Sequence, residues 1–458
     1  MLTDATKNPA VSLATLLALA WPIILARATQ SVIGFSDALM VAPLGQDVLA
    51  AVTTGSLNVL VWVIFPMGTA FIIQSFVAQL SGRGQHDAVI NYGWYGLGLA
   101  AISGTLSILS IPLLPLVLSW LGHPPVVTEY MTEYVAIRMV GIFAAVGIEA
   151  LGNWYGGLGN TRAAFIAGGL AMVSNVLLNY LLIEPRFGLP GYGVAGAAWA
   201  SVIASCLGFA VLLVGFLRGV GIDKAMKKAR LSWREFKRML RFGLPNGVNW
   251  FLEIGAFVVF INLVIGHLGT TALAAFNIVM QLNSISFMPA FGLSSAGAIL
   301  VGGAIGRQDK DAVWPIVKLT GVVACVWMGS VGLIYVAAPE LLLGLFAEAE
   351  GPEGGLITAG VVMLMLASVW QLFDAVIMTV SEALRAAGDT TWTMVARLLL
   401  AWGVWMPASW VAVVVMGGGV VTVMGLMIGY IVLLAGILSA RFASGRWRLI
   451  QMVEEPLV

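Results

Sequence analysis

Three acidic residues stand inside long apolar stretches of the chain. Glu253 lies in FLEIGAFVVF, residues 251–260, while Asp37 and Asp374 lie in other apolar segments. A charged side chain in a membrane-like environment costs roughly 2.5–3.5 kcal/mol on insertion scales, so such acids usually face a partner or a water-filled path. The chemistry open to them is binding a cation or exchanging a proton.

Amide side chains accompany two of these acids. Around Glu253 and Asp374 they are Asn249, Gln281, Asn283 and Gln371. A hard cation needs several oxygen ligands, which carboxylates and amides supply. Proton exchange needs only one buried acid whose pKa is raised. The residues therefore suit Na+ at Glu253 and Asp374 or H+ equally well, and we expect no structural metal and no other cofactor.

Two asparagines in another apolar segment are further candidate site residues. Asn175 and Asn179 are four residues apart, which places them on one face of a helix. A simpler interpretation of all three acids is that they form structural ion pairs, for which Arg27 and Arg138 are available within helices. Glu149 is a weaker functional candidate.

Methionine and aromatic side chains are numerous enough to line a cavity for varied apolar compounds, since methionine adapts to many shapes. For most of them, core packing or interfacial anchoring is the better explanation. The candidate substrate contacts are Gln281, Asn283, Phe251, Met280, Phe287, Met288 and Trp370.

The elements that must position these residues are transmembrane helices. Of the 458 residues, 60% are hydrophobic and only 10% are charged. Apolar segments of about 20 residues recur along the whole chain, as transmembrane helices require. The sequence predicts an all-α membrane protein with twelve spans, at 13–42, 48–78, 93–118, 127–154, 163–183, 193–217, 240–266, 272–303, 314–338, 356–383, 391–415 and 418–440.

The basic residues predict the orientation of these spans. Most of the 23 Lys and Arg fall at the termini or beside the loops after the even-numbered spans, and they are densest in the segment 218–241. The opposite loops carry acids, such as Glu129 and Glu350. Because basic loops stay in the cytoplasm, both termini are expected to be cytoplasmic. The basic segment is interpreted as a topology determinant and surface helix.

The chain contains an internal repeat. GRGQHDAV at 82–89 matches GRQDKDAV at 306–313, and LGQDVLAA at 44–51 matches LGTTALAA at 268–275. Pro22 and Pro66 have counterparts in Pro245 and Pro289, and GNT at 159–161 resembles GDT at 388–390. The sequence thus predicts lobes of six spans at 1–217 and 242–458, joined by a linker at 218–241. Such parallel repeats, related by a pseudo-twofold axis along the membrane normal, are typical of transporters.

These segments resemble the MATE family of multidrug and toxic compound extrusion transporters over essentially the whole chain. The motifs that carry the resemblance are SDALMVAPLG at 36–45, NVLLNYLLI at 175–183, GLPNGVNWFLE at 243–253, FDAV at 373–376 and LRAAGDT at 384–390. The Glu253 and Asp374 pair is similar to that of the NorM-type branch. Where this chain has Asn179, the DinF-type branch usually carries an aspartate.

The resemblance implies efflux of amphipathic, often cationic, compounds in exchange for Na+ or H+. It also implies coupling roles for Asp37, Asn175, Asn179, Glu253 and Asp374, with the asparagines meeting Asp37 inside the N-terminal lobe. The expected partners are such small molecules and the lipid bilayer. We expect a monomer.

Two other classes remain as alternatives. A flippase for lipid-linked precursors or polysaccharides, from a related superfamily, is expected to place several basic residues in its cavity, and only Arg27 and Arg138 are candidates here. An enzyme is disfavoured because the sequence has no HExxH motif, no Walker A motif and only three histidines. The net charge of +1 gives no reason to expect nucleic-acid binding.

Overall fold

A computed structural model describes residues 12–186, 188, 190–220, 230–347 and 355–453. All the elements of these residues are helices. Glu350 and the centre of the basic segment, residues 221–229, lie outside the described residues.

The predicted number of membrane spans is confirmed. Eleven helical segments of the described residues are long and apolar enough to cross a membrane. A pair bent by 46°, Pro125–Val140 and Ile142–Gly157, completes twelve if it is taken as one span. The span predicted at 240–266 is longer than expected, because its helix already begins at Trp233.

By internal contacts the chain divides into two units, and each boundary falls inside a helix. The N-terminal unit is Trp21–Gly247, and the C-terminal unit is Val248–Val458 together with the start of the chain up to Ala20. The boundaries lie beside Pro22 and Pro245, within two to three residues of each. The lobe limits 217 and 242 stay a prediction.

The helices up to the basic segment are numbered α1 to α9 in chain order. They are α1 Leu13–Val41, α2 Gln46–Ala70, α3 Ile73–Gly82, α4 His86–Ser110, α5 Leu114–Ser119, α6 Pro125–Val140, α7 Ile142–Gly157, α8 Thr161–Leu182 and α9 Gly193–Leu217. Phe76, Tyr134 and Trp154 are among their fully buried side chains.

The later helices are numbered α10 to α17. They are α10 Trp233–Phe260, α11 Thr270–Gly306, α12 Val313–Ala337, α13 Pro339–Ala347, α14 Gly355–Ala387, α15 Thr390–Leu398, α16 Met406–Trp410 and α17 Val420–Ala443. π-Helical segments extend α10 over Ile261–Ile265 and flank α16 at Leu399–Trp405 and Val411–Val415. Phe276, Trp370 and Trp405 are among the buried side chains of this unit's core.

The sequence repeat has a matching backbone geometry. Gly159 and Gly388 both adopt left-handed φ angles, of +79° and +89°, just before α8 and α15. The next residue in each unit donates its N–H to a carbonyl five residues back, at 2.9 Å for Asn160 and 2.8 Å for Asp389. This pattern ends one helix and starts the next without a flexible loop. The same type of glycine turn therefore precedes α8 in one unit and α15 in the other.

Candidate functional site

The N-terminal unit holds Asp37 in a ring of neutral polar side chains. Asp37 lies near the end of α1 and is 5% exposed. Asn179 of α8 donates from Nδ2 to Asp37 Oδ1 at 2.6 Å, and Ser201 of α9 donates from Oγ to Oδ2 at 2.9 Å. Asn175 donates to Ser201 Oγ at 3.1 Å. The structure thus brings together three residues that the sequence singled out and adds Ser201.

This ring leaves one negative charge uncompensated. Asp37 has no ion-pair partner among the described residues, and its hydrogen bonds come from neutral donors. Asn179 Oδ1 is buried and has no hydrogen-bond partner there either. A buried carboxylate next to a free amide oxygen supplies two oxygen ligands for a hard cation, or one acceptor for a proton.

The arginines proposed as partners for the acids lie elsewhere. Arg27 forms an ion pair with Glu149 at 2.8 Å, and Asn153 donates to the same carboxylate at 2.8 Å. The guanidinium of Arg138 lies 5.9 Å from the ring centroid of Tyr134. The ion-pair interpretation therefore applies to Glu149, and it does not apply to Asp37.

The C-terminal unit pairs Glu253 with an arginine that the sequence analysis did not select. Arg397 Nη1 of α15 forms an ion pair with Glu253 Oε2 of α10. The Arg397 side chain is 10% exposed, whereas that of Glu253 is 48% exposed. Arg397 Nη2 also donates to Ser381 Oγ at 3.3 Å, and its Nε is buried without a partner among the described residues.

Asp374 belongs to the same electrostatic group. It lies in α14 and interacts with the charges of both Glu253 and Arg397. The phenol of Tyr430, in α17, interacts electrostatically with the same three side chains. One turn before Glu253, Asn249 has a buried Oδ1 without a partner among the described residues. This part of α10 therefore carries one acid and a buried amide oxygen, and its acid interacts with an arginine from α15 and a second acid from α14.

Arg397 was missed because it was counted with the cytoplasmic basic loops. It lies seven residues after Thr390, the first residue of α15. That spacing places its Cα ~10 Å along the helix, too deep for Arg397 to be counted with the residues at the end of the span. The feature of the sequence that could have identified Arg397 is its distance from the end of the predicted span. An arginine two turns inside a span needs an acidic partner.

A separate amide network joins α11 and α14. Ser286 donates to Gln371 Oε1 at 2.9 Å, and Gln371 Nε2 donates to Asn283 Oδ1 at 2.8 Å. Trp370 Nε1 also points at Asn283 Oδ1, at 3.4 Å. Gln371 and Ser286 are fully buried. These amides are bonded to one another, so they fix α11 against α14.

The predicted substrate contacts differ in exposure and fall into three groups. Phe251 and Gln281 are exposed, whereas Trp370 is 1% exposed and belongs to the core. Phe287 is partly buried and stacks on Phe291 with ring centroids 6.3 Å apart. Met280 and Met288 are also partly buried.

The fold and these sites define a multi-span helical membrane protein with ionisable groups inside its spans. Residues 22–181 and 247–411 match the MatE family model, and the chain belongs to this family.

Named relatives and solved structures agree with this assignment. The chain is 29% identical over 416 residues to a probable multidrug resistance protein NorM of Rhizobium meliloti (strain 1021), covering 89% of this chain and 88% of that one. It is 28% identical to a protein of the same description in Synechocystis sp. (strain ATCC 27184 / PCC 6803 / Kazusa), with 86% of each chain covered.

Solved structures share the fold. The crystal structure of a MATE protein in the bent conformation has a TM-score of 0.86 at 18% identity, covering 95% of this chain and 96% of that one. An outward-facing multidrug resistance MATE family transporter of the MOP superfamily has a TM-score of 0.84 at 19% identity, with 95% and 96% covered.

Proposed function

We propose that the protein is a cation-coupled multidrug antiporter of the bacterial cytoplasmic membrane. It exports amphipathic, often cationic, compounds in exchange for Na+ or H+ by alternating access. The observation that carries this proposal is the charge of two separate sites inside the spans. No basic side chain of the described residues pairs with Asp37, which receives hydrogen bonds from neutral donors. Glu253 and Asp374 both interact with one arginine, Arg397.

Such sites favour exchange because a buried charge is stable only when something neutralises it. In one conformation an incoming Na+ or H+ does so. In another, a cationic substrate or water takes its place. Each ligand then biases the protein toward a different state, which couples ion entry to substrate exit.

The exposure of Glu253 supports this role. Its side chain is 48% exposed although it lies in the middle of a membrane span. A carboxylate in contact with lipid would carry the full cost of burial, so we assign the exposed face to a water-filled path. Exposure gives ions and substrates access to the carboxylate, which a fully packed ion pair does not.

The direct test is transport by Glu253→Gln protein in proteoliposomes under an imposed Na+ gradient and, separately, an H+ gradient. The variant is expected to fold and to lose ion-driven efflux, because Gln mimics the permanently neutralised acid. Glu253→Asp should keep partial activity. Glu340→Gln, at an exposed acid, is the matched control and should transport normally. Unchanged efflux by Glu253→Gln would refute the coupling role, and the gradient that drives the wild type identifies the ion.

The flippase alternative receives less support from the charges. It requires several basic groups free to bind a pyrophosphate, but Arg27 and Arg397 each pair with an acid. Of the two arginines named for this alternative, only Arg138 has no acidic partner among the described residues. Accumulation of a monocationic dye in cells lacking the protein, reversed by its expression, would favour export of amphipathic cations.

A further inference from the structure

We propose that Arg397 is a tethered counterion that limits the Glu253–Asp374 site to one exchangeable positive charge, and so selects monovalent over divalent cations. This inference rests on the proposed function and adds a specificity-determining residue to it. Three observations support it: the charges of the site, the buried position of Arg397, and the uncharged residue at the equivalent position of the repeat.

The charge count is the first support. Glu253 and Asp374 together carry two negative charges when ionised, and Arg397 is always protonated. With both acids ionised, the three groups sum to a net charge of −1. Arg397 and Glu253 form the ion pair, and the charge of Asp374 interacts with both. Without Arg397 the same two acids would match a divalent cation or a dicationic compound.

The position of Arg397 is the second support. Its side chain is only 10% exposed, and its Nη2 is held by Ser381 at 3.3 Å. Unlike a surface arginine, it is largely shielded from bulk water. A π-helical segment begins two residues later, at Leu399. Such wide turns occur frequently at functional sites.

The internal repeat is the third support. The spacing of the GNT and GDT motifs places Gly168 of α8 at the position equivalent to Arg397. The proline pairs lie closer to Glu253 than the LG motifs do, and their spacing places Gln30 at the equivalent position. A Cβ on Gly168 would lie 2.9 Å from Oγ1 of Thr29, the neighbour of Gln30, so α1 and α8 approach each other closely at this level. The two positions equivalent to the ion pair are thus a glycine and a glutamine, and neither carries a charge.

The test compares matched probes on the full-length purified protein. Tetraethylammonium carries one charge and hexamethonium carries two, and both are quaternary ammonium ions. Affinity for each is measured by competition with a bound monocationic dye. The wild type should prefer tetraethylammonium. In Arg397→Gln the preference should shift toward hexamethonium by at least ~10-fold, because one unit charge at short range changes a binding energy by that order.

Two further variants separate charge from structure. Arg397→Lys keeps the charge and should keep the preference of the wild type. The double variant Arg397→Gln with Glu253→Gln loses one charge of each sign, which returns the site to −1 and should restore the monovalent preference. A structural role for Arg397 alone predicts no such restoration. Failure of the double variant to restore the preference, or an unchanged ratio in Arg397→Gln, overturns the proposal.

The outcomes also separate this proposal from the proposed function. If the wild type neither binds nor transports the monocationic dye, the proposed function fails. If the wild type transports the dye and Arg397→Gln keeps its probe preference, only the counterion role fails.

Discussion

At the scale of single residues, Asp37 and Glu253 are two different solutions to placing a carboxylate in a membrane span. Asp37 is 5% exposed and receives hydrogen bonds from Asn179 and Ser201, which are neutral. Glu253 is 48% exposed and pairs with Arg397. Neutral donors stabilise an anion without cancelling its charge, so Asp37, unlike Glu253, has no basic side chain among the described residues that competes with an incoming cation.

Asp37→Asn is therefore expected to preserve the fold and to lower ion-driven efflux by roughly 10-fold or more, a coupling energy within the usual range. Asn keeps the shape and one acceptor oxygen but removes the charge. The measurement is transport in proteoliposomes, with thermal unfolding in detergent recorded in parallel. Ser201→Ala, which removes one donor and leaves the charge, should lose less activity. A large drop in thermal stability with residual coupling intact would instead make Asp37 a structural residue.

The sequence predicted part of each site for a physical reason. Asn175 and Asn179 could be related to each other because helical spacing places them on one face, and the family resemblance related them to Asp37. Ser201 could not be found, since it comes from α9 and many serines in apolar spans have no special partner. Arg397 was missed because proximity to a basic loop is a weaker guide than depth within the span.

At the scale of secondary structure, the repeated turns show how one fold tolerates different residues. The segments 82–89 and 306–313 form the same turn, with Gly84 at φ +72° and Gln308 at φ +67°. The residue after each donates to a carbonyl five residues back at 3.0 Å. A left-handed conformation costs a residue with a Cβ about 1–2 kcal/mol. Gln308 is therefore strained in a turn where its counterpart is relaxed.

Gln308→Gly is expected to stabilise the protein by about 0.5–1 kcal/mol, after the larger entropy of glycine in the unfolded chain is subtracted. Gly84→Gln should destabilise it by a similar amount, which makes the two variants reciprocal controls. Reversible unfolding in mixed detergent micelles measures both. Equal shifts of the same sign would show that the turn geometry does not decide stability there.

At the scale of the whole molecule, hydropathy and basic residues determine how the chain crosses the membrane. The sequence predicts six spans in each half, and an even number implies the same membrane orientation for both repeats. The number of spans followed directly from apolar length. The bend of 46° between α6 and α7 did not, because nothing in the apolar run around Gly141 distinguishes a bent span from a straight one.

The orientation makes a prediction for two exposed positions. Leu121, 46% exposed between α5 and α6, follows the third span and should lie outside the cell. Asp311, 90% exposed, lies beside Arg307 and Lys310 after the eighth span and should face the cytoplasm. In a background with Cys206 and Cys325 replaced by alanine, Leu121→Cys should react with an impermeant maleimide on intact cells.

Asp311→Cys should react with the same reagent only after the membrane is opened. Basic loops remain in the cytoplasm during insertion, and the loop at Asp311 contains Arg307 and Lys310, whereas the one at Leu121 contains no Lys or Arg. The two variants control each other for reactivity, because opened membranes should label both. Labelling of Asp311→Cys on intact cells, with Leu121→Cys protected, would invert the predicted topology and place both termini outside the cytoplasm.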